Sequence, residues 1–224
     1  MGADSKTKKT ILTLRRHKRS GEKTVFVTAY DYPQALIADK AGIDGIIVGD
    51  SAGMTTHGYK TTIPVTMDEM LLVSRAVSKA SSSTFVVGDM PFLSYQSSIS
   101  TAIKNAGLLL KKGGVEAVKL EGGVEVVGQI KKIVSCGIPV MGHVGLTPQS
   151  VNQLSGHRVQ GKDIASAQKI LDDARAVEDA GAFSVVLECI PQELARLISQ
   201  TLTIPTIGIG AGPHCDGQVQ VFHD

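Results

Sequence analysis

The sequence of 224 residues lacks tryptophan, and its aromatic residues amount to 4%. So few aromatic side chains disfavour a surface that stacks the bases of a single-stranded nucleic acid. The sequence also lacks a large excess of charge of either sign, because 23 Lys and Arg residues and 21 Asp and Glu residues leave a net charge of +2. That balance favours neither a nucleic acid nor an anionic membrane as the main partner. No apolar run approaches the roughly 18 residues needed to span a bilayer.

Cysteine is scarce as well. The three cysteines, Cys136, Cys189 and Cys215, are odd in number and lack the spacing of metal ligands, which is typical of a reducing compartment. No signal-peptide pattern follows the first residues. We therefore expect a soluble, intracellular protein.

Glycine and aliphatic residues, in contrast, are plentiful. Hydrophobic residues make up 42% of the chain and 24 residues are glycine, which indicates a globular protein with many tight turns. At about 150 residues per domain, this length predicts one large domain rather than two small ones.

Short β-branched runs alternate with longer segments of helical period along the whole chain, a pattern typical of βα units on a parallel sheet. The runs are almost continuously apolar, as expected for strands covered on both faces. The predicted strands are 24–29, 45–48, 84–88, 117–120, 139–142, 184–187, 206–208 and 218–222, and the predicted helices between them are 32–41, 67–80, 98–112, 124–135, 164–180 and 191–201.

Eight strands with intervening helices favour an α/β fold of the (β/α)8 TIM barrel type over residues 24–224, with a doubly wound open sheet as the alternative. Such a barrel takes about 250 residues, so we expect the eighth helix to be missing from this chain. Residues 1–23 form a basic extension that is predicted to be helical. We favour a solvated helix across the bottom of the barrel over a targeting or surface-binding helix.

Polar residues occur where five consecutive predicted strands end, and in a parallel barrel these ends converge on one rim. They are Asp50, Asp89, Glu121, His143 and Glu188. A single carboxylate at such a place is often the N-cap of the next helix. Several of them in a partly dry pocket repel one another and require a cation.

Asp50, Asp89 and Glu121 carry hard oxygen donors, which suit Mg²⁺ better than zinc. We therefore predict a magnesium site, with capping or salt-bridged carboxylates as the alternative. Lys119 lies two residues before Glu121, so both side chains point into the barrel. The lysine could neutralise a substrate carboxylate or form a structural ion pair with Glu121 or Asp89.

Two further residues of the rim allow more than one role. His143 is a fourth metal ligand, a hydrogen-bond donor to a substrate oxyanion, or an interior histidine whose partners are all within the protein. Glu188 stands apart on the sixth strand, where an unpaired carboxylate in an apolar setting would have a raised pKa and could transfer protons at neutral pH.

The residues at these strand ends also form an ordered set of motifs. They are 28–32 (TAYDY), 48–54 (VGDSAGM), 89–92 (DMPF), 118–123 (VKLEGG), 142–150 (GHVGLTPQS), 187–191 (LECIP) and 207–212 (IGIGAG). From about residue 24 to residue 224, the chain closely resembles the ketopantoate hydroxymethyltransferase family, and the stretch 142–150 is the most specific part of the match.

The resemblance implies an enzyme that transfers a one-carbon unit from 5,10-methylenetetrahydrofolate to 2-oxoisovalerate, in the first committed step of pantothenate synthesis. It makes Asp50, Asp89 and Glu121 the Mg²⁺ site, and it also names Glu188 as the catalytic base. It assigns the oxoacid to Asp50, Ser51, Asp89 and Lys119. The resemblance further implies a cytoplasmic homo-oligomer, and we expect the loop 53–66 to help cover the pocket.

Two rival hypotheses remain at this point. A Mg²⁺-dependent oxoacid lyase or mutase of the phosphoenolpyruvate mutase and isocitrate lyase type would use the same carboxylates, but it would lack the 142–150 stretch. A non-catalytic, C-terminally truncated barrel is the other alternative, and the presence of every matched functional residue argues against it.

Overall fold

The computed structural model describes residues 7–224, and it folds as a closed barrel of eight parallel strands in sequential order. The strands are β1 (Thr24–Thr28), β2 (Gly45–Val48), β3 (Phe85–Asp89), β4 (Ala117–Glu121), β5 (Val140–Gly145), β6 (Ser184–Glu188), β7 (Thr206–Ile209) and β8 (Gly217–Gln220). Strand β8 pairs with β1 through the register Thr24↔Gly217 and closes the sheet. The predicted TIM barrel is therefore confirmed, and the open sheet is wrong.

Eight α-helices occur within the described residues. They are α1 (Ile11–Ser20), α2 (Tyr32–Ala41), α3 (Ala52–Thr55), α4 (Met67–Ala80), α5 (Ile99–Leu108), α6 (Val127–Ser135), α7 (Ile164–Asp179) and α8 (Gln192–Thr201). No helix within residues 7–224 is long and apolar enough to cross a membrane.

Several boundaries differ from the sequence prediction. The helix predicted over 98–112 gives way to a π-helical segment, Leu109–Gly113, and the segment predicted over 124–135 begins as a 3₁₀ turn. Strand β5 continues to Gly145, so His143 lies within the strand rather than after it. Residues 210–216 connect β7 to β8 without a helix, and no outer helix follows β8 up to residue 224.

The interior of the barrel changes character along its axis. On β4, the alternation of a strand points Ala117, Lys119 and Glu121 inward, while Val118 and Leu120 pack outward against the helices. The inward residues near the amino ends of the strands form an apolar cluster with members such as Phe26, Phe85, Met141 and Phe183. This cluster forms a floor beneath the charged residues near the carboxyl ends.

Helix α1 closes the amino end of the barrel. Leu14 is fully buried and belongs to the apolar cluster of the barrel interior, whereas Leu12, two residues earlier, is 73% exposed. The expected solvated helix is thus solvated on one face only. The part of the predicted extension before residue 7 lies outside the described residues.

The lysines of the extension bind acidic residues at the amino end of the barrel. Each acidic partner directly precedes a strand and also accepts a hydrogen bond from the backbone N–H of a neighbouring strand residue. The pairs are Lys8–Glu116 at 3.1 Å, Lys9–Asp44 at 3.0 Å and Lys18–Asp216 at 2.7 Å. Three positive charges of this segment are therefore paired within the protein.

Replacing Leu14 by Ala should lower the free energy of unfolding by about 3–5 kcal/mol, because the change leaves a cavity in a buried cluster. Urea unfolding followed by circular dichroism measures this loss. Leu12→Ala on the exposed face of the same helix is the matched control and should change the free energy by less than about 0.5 kcal/mol. Equal effects of the two changes would show that α1 does not seal the barrel.

Candidate active site

A cavity of about 260 Å³ opens at the carboxyl ends of the strands. Its floor includes Ile47, Val186 and Val219 of the interior apolar cluster. The titratable side chains on its wall include Asp50, Asp89, Lys119, Glu121, His143 and Glu188. The structure thus brings together all the residues that the sequence placed at the rim.

Asp89 and Lys119 form a buried ion pair in this cavity. Lys119 Nζ lies 2.6 Å from Asp89 Oδ1, and both side chains are almost inaccessible to solvent. Burial alone would lower the pKa of Lys119, but the carboxylates of Asp89, Glu121 and Asp50 raise it above its ordinary value. The lysine therefore stays charged and is held by the acidic cluster.

The other two carboxylates lack such a close cation. Burial, followed by the charge of Asp89, raises the pKa of Asp50 to about 7, although Lys119 opposes the shift. Burial also raises the pKa of Glu121 well above its usual range, and the charges of Asp50 and Asp89 add to the shift. Three buried carboxyl groups thus share one ammonium group, which leaves an excess of negative charge when all three are ionised.

His143 joins this cluster to Glu188. Its Nδ1 lies 3.3 Å from Lys119 Nζ, and its Nε2 lies 3.0 Å from Glu188 Oε2. Burial and then the charge of Lys119 lower the pKa of His143, so the imidazole is neutral at pH 7. Because an ammonium group can only donate, Nδ1 must accept, and the proton of the neutral imidazole is on Nε2.

This arrangement corrects one expectation about the rim. Glu188, whose side chain is 20% exposed, is not unpaired, because the imidazole of His143 lies against it. The pairing follows from the register of β5 and β6, where His143 stands beside Val186, two residues before Glu188. Both ring nitrogens of His143 thereby face partners within the protein.

Ser51 lies at the same rim, just before α3. Its Oγ lies 2.7 Å from the hydroxyl oxygen of Tyr30, which follows β1. The segment 53–66 also reaches the cavity, since Met54, Thr55 and Thr62 line its wall.

Comparison with known proteins identifies the family. The family model described as Ketopantoate hydroxymethyltransferase matches residues 8–224. The chain belongs to the ketopantoate hydroxymethyltransferase family. Relatives of this family include the 3-methyl-2-oxobutanoate hydroxymethyltransferases of Carboxydothermus hydrogenoformans and Clostridium novyi. The first is 57% identical over 215 residues, or 96% of this chain and 78% of the relative. The second is 56% identical over 217 residues, which cover 97% of this chain and 79% of the relative.

Solved structures with low sequence identity share the fold of this ketopantoate hydroxymethyltransferase family member. Phosphonopyruvate hydrolase superposes with a TM-score of 0.72 at 15% identity, over 96% of this chain and 81% of that chain. A 2,3-dimethylmalate lyase of the PEP mutase/isocitrate lyase superfamily superposes with a TM-score of 0.68 at 22% identity, over 93% of this chain and 79% of that chain. At these identities the likeness concerns the barrel only.

The acidic cluster of this family member has the donor chemistry of a site for a hard divalent cation. Its three carboxyl groups offer only oxygen ligands, and when all three are ionised their negative charge exceeds the positive charge of the single ammonium group. Within residues 7–224, no three acidic, histidine or cysteine side chains already converge on one point. The chemistry of the donor set, rather than an assembled ligand geometry, is what fits Mg²⁺.

Sequence reasoning missed two residues that surround this cluster. Gln149 and Tyr95 are both buried, and both form hydrogen bonds to Glu121. Gln149 lies in the specific 142–150 stretch, which was a signal for its importance but not for its role. Tyr95 is in the loop after β3 and lies outside every motif.

Proposed function

We propose that this protein is a 3-methyl-2-oxobutanoate hydroxymethyltransferase that uses Mg²⁺ and 5,10-methylenetetrahydrofolate. The substrate 2-oxoisovalerate would receive the one-carbon unit and become ketopantoate, in the first committed step of pantothenate synthesis. The observation that carries this proposal is the buried cluster of Asp50, Asp89, Glu121 and Lys119 beside Glu188 at one rim. Close relatives named for this activity support it.

The acidic cluster and Lys119 would bind the oxoacid. Asp50, Asp89 and Glu121 would hold Mg²⁺, which when bound supplies a Lewis acid for the keto and carboxylate oxygens of the substrate. The ammonium group of Lys119 offsets the negative charge that substrate binding adds to a dry cavity. Ser51 lies at the same wall and would donate a hydrogen bond to the oxoacid.

Glu188 would remove the proton from C3 of the oxoacid. His143 Nε2 lies 3.0 Å from Glu188 Oε2, and the lowered pKa of His143 means that the imidazole would position the base without taking the proton itself. The resulting carbanion equivalent at C3 forms a bond to the methylene carbon of the folate. Both carbon–nitrogen bonds of that methylene carbon break, one as the carbon–carbon bond forms and one as water supplies the hydroxyl group of the product. The C3 proton taken by Glu188 and one proton of the water pass to the two freed nitrogens, which leaves tetrahydrofolate.

The fold also allows a different enzyme class. The barrel resembles those of phosphonopyruvate hydrolase and 2,3-dimethylmalate lyase, so an oxoacid lyase or mutase is the alternative. Relatives that are 54–57% identical and named as hydroxymethyltransferases favour the first proposal.

We further propose that the protein acts as a cytoplasmic homo-oligomer, with residues 24–224 as its catalytic barrel and residues 1–23 as the basic extension. Support for self-association comes from large apolar side chains left in solvent, such as Ile164, which is 90% exposed, and Val124, which is 61% exposed. Small molecules are the expected partners at the rim, rather than nucleic acid or a membrane.

An assay of the purified protein tests the activity. With 2-oxoisovalerate, 5,10-methylenetetrahydrofolate and Mg²⁺, NMR should detect ketopantoate, and treatment with EDTA should stop its formation until Mg²⁺ is restored. Binding of Mg²⁺ without any product would contradict the proposal. Cleavage of 2,3-dimethylmalate or phosphonopyruvate under the same conditions would instead favour the lyase or mutase alternative.

A further inference from the structure

Gln149 is a buried amide whose hydrogen-bonding groups are all engaged. It lies in a 3₁₀ turn, Pro148–Ser150, after β5 and is 3% exposed. Its Nε2 donates to Asp50 Oδ2 at 2.8 Å and to the carbonyl oxygen of Met90 at 2.9 Å. Its Oε1 lies 2.8 Å from the Tyr95 hydroxyl and accepts from Gln96 Nε2 at 3.2 Å.

The orientation of this amide is fixed by its neighbours. A flip would place Oε1 against a carboxylate oxygen and a carbonyl oxygen, both of which only accept when Asp50 is ionised. It would also turn the Nε2 donor of Gln149 towards the amide Nε2 of Gln96, which is a donor as well. Gln149 therefore presents two N–H donors to the acidic cluster and an acceptor to the loop that carries Tyr95 and Gln96.

The same residue also reaches a second carboxylate through its backbone. The N–H of Gln149 donates to Glu121 Oε2 at 3.0 Å, and the Tyr95 hydroxyl accepts from the backbone N–H of Glu121 at 3.1 Å. Pro148, at the first position of the turn, restricts the backbone that aims this N–H. One residue of the loop after β5 thus connects the ends of β2, β3 and β4.

We infer that Gln149 is a positioning residue of the acidic site, and that it determines which oxygens of Asp50 and Glu121 are free to bind a cation. Engagement of Asp50 Oδ2 and Glu121 Oε2 leaves Oδ1 and Oε1 as the oxygens available to a ligand. This inference rests on the proposed function, because it takes Mg²⁺ as the ion that these carboxylates hold.

A neutral donor suits this role better than a charged one or an apolar one. A lysine at this position would offset the charge of Asp50 and compete with the cation, as Lys119 already does at Asp89. An apolar side chain would leave Asp50 Oδ2 buried without this donor, which would raise the free energy of the ionised carboxylate. The amide orients the carboxylate and leaves its charge for the metal.

The test is the affinity for Mg²⁺, measured by calorimetry on the full-length protein without substrate. Gln149→Met keeps the length of the side chain and the backbone N–H but removes both amide donors. It should raise the dissociation constant for Mg²⁺ by about 10–100-fold, as loss of an outer-sphere partner commonly does. Raising the Mg²⁺ concentration should then restore kcat. It would not do so if the substitution had misfolded the site.

Gln96→Met is the matched control, because it removes a contact to the same Oε1 without touching either carboxylate. It should leave the affinity for Mg²⁺ unchanged. An unchanged affinity in Gln149→Met would overturn the inference, and so would an equal loss in Gln96→Met, since both changes would then only loosen the loop.

Thermal melting in EDTA checks that Gln149→Met is folded. If Gln149→Met is not folded, Tyr95→Phe provides the test, because it removes the hydroxyl group beside Gln149 Oε1 with little change in packing. Tyr95→Phe should also weaken Mg²⁺ binding, and unchanged binding in this variant would overturn the inference. Weakened binding in the variants together with no ketopantoate from the wild type would refute the proposed function and leave the inference standing. A wild-type protein that binds no Mg²⁺ would overturn the inference.

Discussion

Glu188→Gln should slow the exchange of the C3 proton of 2-oxoisovalerate by about 10²–10⁴-fold, the usual contribution of a positioned general base. The amide keeps the shape of the side chain and an oxygen that can accept from His143 Nε2, which lies 3.0 Å from the carboxylate in the wild type. It has no group that is basic enough to take a proton from carbon. Loss of the C3 proton signal in D₂O, followed by NMR without folate, measures the effect directly.

The same variant should bind Mg²⁺ and the oxoacid almost normally, because Glu188 is not among the three proposed metal ligands. Glu193→Gln, on the exposed part of α8 where the side chain pairs with Arg196, is the matched control and should exchange the proton at the wild-type rate. Persistent exchange in Glu188→Gln would mean that the base lies elsewhere in the cavity.

Lys119→Met should weaken oxoacid binding by about 2–5 kcal/mol, or roughly 30-fold or more in the dissociation constant. Within the described residues, Lys119 is the only lysine or arginine that lines the cavity. Its removal leaves Asp89 without the ammonium group that now lies 2.6 Å away. Calorimetric titration with 2-oxoisovalerate in the presence of Mg²⁺ measures the loss.

Removal of this lysine should also destabilise the protein by about 3–5 kcal/mol, because one partner of a buried ion pair is left uncompensated. Urea unfolding gives this value. Lys104→Met, at an exposed position of α5, serves as the control and should change neither binding nor unfolding. A Lys119 variant with normal stability and normal oxoacid affinity would show that the lysine serves neither role.

Much of the fold could be predicted from sequence because the strands are short and mostly apolar, and five consecutive ones have a polar residue at or near the carboxyl end. Asp89, Glu121 and Glu188 end β3, β4 and β6, so a one-dimensional pattern was enough to place them at one rim. Closure of the barrel also followed from the number of strands, since eight parallel strands can pair in a ring.

The missed features depend on contacts between distant parts of the chain. The proximity of His143 to Glu188 follows from the pairing of β5 with β6, which a single strand pattern does not show. Burial of Leu14 could not be predicted because its partners come from strands spread over the whole sequence. The amide of Gln149 was missed for the same reason, since its acceptors include Asp50 and Met90 from other strand ends.

The contacts of α1 have a consequence for biogenesis. Lys18 pairs with Asp216 across 198 positions of sequence, and Leu14 packs in a cluster that includes Val219 of β8. Helix α1 therefore has no completed docking surface until β8 has been synthesised. Contacts of such long sequence separation are slow to form, so we expect docking of α1 to be a late event that follows closure of the barrel.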